Sequence, residues 1–324
     1  MNEPHFRTQV GRELYPPIRP FDSRMVSAGG GHHIYVEQCG APQGVPVICL
    51  HGGPGGGCSP TMRRFFDPKV YRIILMDQRG CGKSTPTACV AENTTGDLIA
   101  DIERIRKLLG IEKWILFGGS WGAALALLYA QEYPQNVVHL VLRGVFLMTR
   151  RELNWFYGGG AGKFWPEHWQ RFSGIIPAHE RGDLIEAYHK RLFSGDLAQE
   201  IAFARCWHEW ELRLCKLNPV SQMGEVCSSY ARTVARLENH YFMNAGFLRH
   251  DNQILDDMPK IASIPGNIVH GRYDVVCPPE SAWMLADSWP NCKLEIVAAG
   301  HALSEPVIQE RLVSIMNELH SSGL

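Results

Sequence analysis

The chain has 324 residues, with 32 Lys plus Arg against 33 Asp plus Glu, a formal charge of −1, and 20% charged residues. That balance exerts no pull toward nucleic acid or an anionic membrane. Hydrophobic residues at 45%, in a chain long enough to bury about three-quarters of its unfolded surface, exclude disordered and disulfide-scaffold classes.

The opening MNEPHFRTQVGREL has no apolar h-region and no small-residue cleavage site, so no secretory signal is expected. Apolar stretches such as Val137 to Met148 are broken by His139 and Arg143 and fall short of the roughly 20 residues a bilayer span needs. The expectation is a soluble, cytoplasmic chain. Ten cysteines without a CxxC pair or a signal peptide read as reduced thiols. There is no HExxH, and His32 and His33, adjacent on a strand, point to opposite faces. No metal and no cofactor are expected.

Val45 to Leu50 is a compact apolar strand ending at HGGPGGG, and Tyr71 to Met76 is a second ending at Asp77; both are apolar on both faces, as parallel central strands are. A helix follows, with Thr94 or Thr95 as N-cap, Asp97 in its first turn, Leu98, Ile102, Ile105, Leu108 and Leu109 at helical spacing, and Gly110 as its stop. Trp114 to Phe117 is a strand, a glycine-flanked turn leads to an Ala-rich helix, and Val137 to Leu142 is a strand again. This β-α-β-α-β order predicts a parallel sheet with right-handed crossovers. From about 149 to 257 the spacing is helical, with five of the nine tryptophans. Strand-helix rhythm resumes at Gly266 to His270, a helix near 280 to 288, a strand at Lys293 to Val297, and an amphipathic helix from about Pro306 to Leu319. The predicted organisation is an α/β core over 1–148 and 258–324, interrupted by a helical cap over 149–257.

Gly118-Gly119-Ser120-Trp121-Gly122 fits G-x-S-x-G between a strand and a helix, where a tight turn exposes the serine hydroxyl at the sheet's C-terminal edge. A serine at neutral pH needs a base, and the base needs an orienting carboxylate, in the chain order Ser, Asp or Glu, His. Asp274, after the strand at 266 to 270, and His301, after the strand at 293 to 297, fit order and position. Acidification should then remove activity as the imidazole base takes up a proton. An oxyanion needs two backbone donors: Trp121 N–H is one, and Gly53 in the glycine-rich loop after the first strand is the other. Gly80 to Thr85 ends like a phosphate-binding loop but has Asp77 where its first glycine belongs, and Gly158 to Lys163 fails with Tyr157 there.

HGGPG at 51–55, DQRGCGKS at 77–84, GGSWG at 118–122, LRG at 142–144, WHEWE at 207–211, ENHYF at 238–242, GRYDVVCP at 271–278 and AGH at 299–301 together resemble the prolyl aminopeptidase, or proline iminopeptidase, family of the α/β-hydrolase fold. WHEWE and ENHYF are its specific motifs. The resemblance implies a serine exopeptidase that releases N-terminal proline from small peptides with a free imino terminus. It maps the two carboxylates that meet the imino cation onto Glu211 and Glu238, the walls of the pyrrolidine pocket onto Phe146, Phe156 and Phe242, and an arginine beside the glutamates onto Arg143. Phe156 stands where relatives often carry Tyr. Cys277, three residues after Asp274, is expected near the site. Two other readings stay open: another hydrolase with altered cap specificity, and a non-catalytic binding protein on the same scaffold. Nucleic acid and membrane are not expected partners, and homo-oligomerisation is left open.

Overall fold

The computed structural model describes residues 13–217 and 227–323; most of the stretch read for a signal lies outside the described residues. Eight strands, β1 (Asp22–Gly29), β2 (His32–Gly40), β3 (Val45–Leu50), β4 (Tyr71–Met76), β5 (Trp114–Ser120), β6 (Val137–Val145), β7 (Gly266–Gly271) and β8 (Cys292–Val297), form one sheet in the order β1-β2-β4-β3-β5-β6-β7-β8. From β4 to β8 neighbouring strands run parallel, whereas β1 pairs antiparallel with β2, and β2 with β4.

The parallel strands are apolar throughout because both faces are covered. Ile48, Leu50, Ile74, Met76, Trp114 and Leu116 enter the core on one face, and Val47, Cys49, Ile73, Leu75, Ile115 and Phe117 enter the core on the other. Helices α1 (Thr95–Leu108) and α2 (Trp121–Glu132) pack on the first face. Thr94 caps α1 and exchanges hydrogen bonds with Asp97. In α2 every residue from Trp121 to Gln131 is buried, which explains its small, apolar composition.

Between β6 and β7 the described residues form only helices: α3 (Arg150–Tyr157), α4 (Pro166–Gly174), α5 (Leu184–Leu192), α6 (Leu197–Leu214), α7 (Ser228–Met243), the short α8 (Gln253–Asp256) and single 3-10 turns. Their aromatic side chains bind them together: Tyr157 of α3 stacks on Trp207 of α6 at 4.5 Å, and Phe172 of α4 stacks on Tyr188 of α5 at 4.7 Å and Trp210 of α6 at 5.6 Å. Each such pair adds about 0.5–1.5 kcal/mol beyond area burial. The chain closes with α9 (Pro279–Asp287) and α10 (Pro306–Ser321), the latter on the second face of the sheet.

The N-terminal hairpin is the element absent from the sequence reading. In β1 only Val26 and Ala28 are buried, so its apolar signal is two residues long. In β2 the alternation that buries His32 and exposes His33 carries polar residues into the buried positions. All ten cysteines are free, and no helix among the described residues is long and apolar enough to cross a membrane.

Candidate active site

Ser120 ends β5 and precedes the first residue of α2, at φ 58° and ψ −126°. A serine is rarely held at positive φ, and the strain is sustained by surroundings that admit no other course. A Cβ on Gly122 would stand 2.0 Å from the carbonyl oxygen of Leu50, and one on Gly118 would stand 2.3 Å from that of Gly122, so these glycines are required for helix and strands to approach.

Asp274 and His301 leave the C-terminal ends of β7 and β8. His301 Nδ1 lies 2.7 Å from Asp274 Oδ2. The other carboxylate oxygen accepts the Val276 and Cys277 amides at 3.0 and 2.8 Å. Burial pushes Asp274 upward, but the attraction and hydrogen bond of His301, with help from His270 and the Cys277 amide, outweigh it and hold the carboxyl below the usual range. His270 accepts the Val145 amide at Nδ1 and donates from Nε2 to the Cys277 carbonyl, 3.5 Å from Asp274. Burial lowers its proton affinity, consistent with a neutral ring. Ser120 and His301 line one cavity, with no direct hydrogen bond between their side chains.

Gly53 lines that cavity at φ 112°, followed by a cis bond to Pro54. Its loop packs against the nucleophile turn: a Cβ on Gly52 would lie 3.2 Å from Ser120 Cβ. Trp121 turns its indole into the core, donating to Gln78 Oε1 at 2.9 Å, which leaves its backbone amide at the uncapped start of α2. The DQRGCGKS segment braces this loop. Asp77 accepts the amides of Cys58 and Lys83 at 2.7 and 2.8 Å, and Gly82 is required because a Cβ would sit 2.2 Å from that carboxylate. Arg79 grips Asp101 through two hydrogen bonds of 2.6 and 2.9 Å.

The cavity has a volume of about 260 Å³, and Glu211 of α6 and Glu238 of α7 line it with Ser120 and His301. Trp207 Nε1 donates to Glu238 at 2.7 Å, and the Tyr157 hydroxyl donates to Glu211. Burial raises Glu211 to about 7, against the hydrogen bonds it receives. Burial and then the charge of Glu211 push Glu238 well above the carboxylate range. Two carboxylates in one apolar site therefore retain a proton near neutrality, the usual result of like charges sharing a cavity. Phe146, Phe156 and Phe242 line the same space, Phe146 edge-on to Phe242 at 6.2 Å. Cys277 lines it too, and burial raises its thiol.

Arg143 lines the same cavity as Glu211 and Glu238, with no ion pair to either among the described residues. Its Nη1 donates to the His301 carbonyl at 2.6 Å, and its Nε is buried without a partner. The reason is register: Arg143 pairs with Gly119 across β5 and β6, and its guanidinium occupies the space a Gly119 side chain would take. Two polar cavity residues that the sequence reading did not assign, Tyr157 and Glu152, bear on the site. Glu152 is the third residue of the α3 capping box and also accepts the Leu147 amide and the Ser281 hydroxyl, tying the start of α3 to α9. The T-x-x-E pattern at Thr149 was the available signal for Glu152.

A family model described as the alpha/beta hydrolase fold matches residues 45–305. A proline iminopeptidase of Arabidopsis thaliana is 50% identical over 311 residues, 95% of this chain and 82% of that protein, and one of Xylella fastidiosa is 50% identical over 305 residues, 93% and 97%. Among solved structures, a proline iminopeptidase of Mycobacterium smegmatis matches with TM-score 0.59 at 21% identity over 93% of this chain and 98% of that one. A putative aryl esterase of Burkholderia cenocepacia matches with TM-score 0.63 at 20% identity over 93% and 100%, a likeness of fold alone. The chain belongs to the proline iminopeptidase family of α/β hydrolases.

Proposed function

We propose that the chain is a prolyl aminopeptidase acting on short peptides with a free N-terminal proline, with residues 149–257 as a helical cap over the α/β core. Ser120 Oγ attacks the prolyl carbonyl while His301 Nε2 takes its proton, and Asp274 holds the Nδ1–H and the positive ring. The developing oxyanion is met by the amides of Gly53 and Trp121; loss of one such donor costs about 10²- to 10³-fold in turnover. His301 returns the proton to the leaving nitrogen as the C–N bond breaks. Water, deprotonated by the same ring, then cleaves the prolyl ester, and proline and Ser120 are regenerated.

The observation that carries the substrate reading is the pair of cavity-lining carboxylates beside Ser120 and His301. A secondary ammonium has two N–H donors, one for each carboxylate, and its charge replaces the proton the pair retains. The aromatic walls suit an apolar five-membered ring. Ten free thiols suit a reducing compartment, the cytoplasm.

The test compares a prolyl arylamide with its N-acetyl derivative. Hydrolysis of the first alone is expected, and equal rates on both would remove the requirement for a cationic terminus. Binding should also weaken as pH falls through about 7, because Glu211 regains its proton there.

A further inference from the structure

A second cavity, also of about 260 Å³, adjoins the first and shares Gly52, Arg143 and Leu303 with it. Its other walls include Met62, Phe117 and Tyr230, with Ser59 at an exposed position. Met62 and Phe117 are buried core residues, and Tyr230 reaches over from α7 to donate to the Gly56 carbonyl at 3.2 Å. Ser120, His301 and Gly53 line the first cavity, and their chain neighbours Gly119 and Gly52 line the second. One holds the two glutamates; the other lies behind the oxyanion loop and the nucleophile turn, with Gly119 in its wall and Leu303, two residues past the catalytic imidazole, shared between both.

We propose that this second cavity is the subsite for the residue that follows proline, and that it selects an uncharged, apolar side chain there. The proposal rests on the prolyl reading above: once the imino group is held by Glu211 and Glu238, the scissile nitrogen must face His301 to be protonated, so the rest of the peptide leaves on the far side of Ser120 from the glutamates. The walls determine the selectivity. They are mainly apolar side chains and glycine backbone, with Ser59, His51 and Tyr230, and the charged side chain among them is Arg143, whose Nε is buried without a hydrogen-bond partner. Of the other titratable wall residues, burial lowers the proton affinity of His51 and raises that of the Tyr230 phenol, so both are uncharged and neither offsets a charged side chain. A leucine side chain gains by leaving water at about 25 cal/mol per Å² of buried apolar area. A lysine side chain would meet the Arg143 cation in a partly desolvated site.

The experiment measures kcat/KM for prolinamide, whose leaving group is ammonia and reaches only the first cavity, and for the amides of Pro-Gly, Pro-Leu and Pro-Lys. Pro-Leu amide should exceed Pro-Gly amide by about tenfold or more, with Pro-Lys amide the poorest. Ser59→Trp, which fills the second cavity from an exposed position, should reduce the ratio of Pro-Leu amide to prolinamide at least fivefold, and Tyr230→Ala should lower it through loss of the roof. Equal rates for the three dipeptide amides, or ratios unmoved in both variants while prolinamide is still hydrolysed, would overturn the subsite and leave the prolyl reading intact. Failure to hydrolyse prolinamide and every prolyl peptide would overturn both.

Discussion

Tyr157 shows how a contact to a cavity carboxylate is set by one side chain next to the expected one. The family resemblance places the pocket aromatic at Phe156, and both rings reach the cavity, but the hydroxyl that donates to Glu211 belongs to the next residue along α3. Burial and the two glutamate charges keep the Tyr157 proton in place, so it acts as a fixed donor to the ionised carboxylate. Removing it in Tyr157→Phe takes a hydrogen bond from a charged group, about 1.5–3 kcal/mol. KM should rise roughly 10- to 100-fold with kcat changed by less than about twofold. The loss also favours the protonated Glu211, so the acid limb of the KM profile should move to higher pH. A fall in kcat at constant KM would show instead that Tyr157 serves the chemical step. Which of two adjacent aromatics meets the carboxylate depends on the phase of α3, and a sequence pattern does not resolve one residue of helical phase.

At the scale of elements, the parallel strands, α1, α2, α9 and α10 are legible because each carries one unbroken physical signal: apolar runs buried on two faces, a capping box, or a stripe at helical spacing. The positions of Ser120, Asp274 and His301 are legible for the same reason, since each stands at or just past the end of a strand that can be read. What is not legible depends on contacts between distant elements. The β1–β2 hairpin draws its burial from pairing with β4 rather than from its own composition, and Arg143 is directed by the missing side chain of Gly119 on the neighbouring strand. The junction of α6 with the His301 loop is another such contact. The amides of His301 and Ala302 both donate to the Cys215 carbonyl at the end of α6, at 2.8 and 2.7 Å, and a Cβ on Gly300 would come within 2.8 Å of the Leu217 amide nitrogen. The helix that carries Glu211 is therefore clamped to the loop that carries His301. Gly300→Ala should push the two apart, lowering kcat and raising KM together, at least tenfold in kcat/KM, because both imidazole and glutamate move. Unchanged kinetics on a folded Gly300→Ala protein would show that the clamp has no bearing on the reaction.

For the whole molecule, the buried glutamate pair is a cost that the ligand-free fold bears, which on the proposed function a cationic substrate relieves. Glu211 is raised from the ordinary carboxylate value to about 7, and Glu238 moves the same way, both by burial first. The folded state therefore holds protons that the unfolded chain has already released, and stability falls as pH rises from about 4.5 to about 7. The buried histidines His51, His139 and His270 and the half-buried His208 and His240 act in the opposite direction. Their folded-state affinities are lowered, so the unfolded chain binds more protons below the ordinary histidine value, and their share of stability is lost on acidification. A single pH scan of the wild-type chain mixes the two trends. The difference between Glu211→Gln and wild type removes the histidine share, which is common to both. That difference in Tm should be small below about pH 4, where the pair is protonated in either state, and should grow in favour of the variant up to pH 8, at about 2–4 °C per kcal/mol or somewhat less for a chain of this size. A proline-like cation should reverse the order at pH 8 by binding the wild-type pair alone, adding RT ln(1 + [L]/Kd) to its stability. A variant that is less stable than wild type across the whole range would mean that the two carboxylates stabilise the empty fold, and the assignment of their buried charge to substrate capture would fail with it.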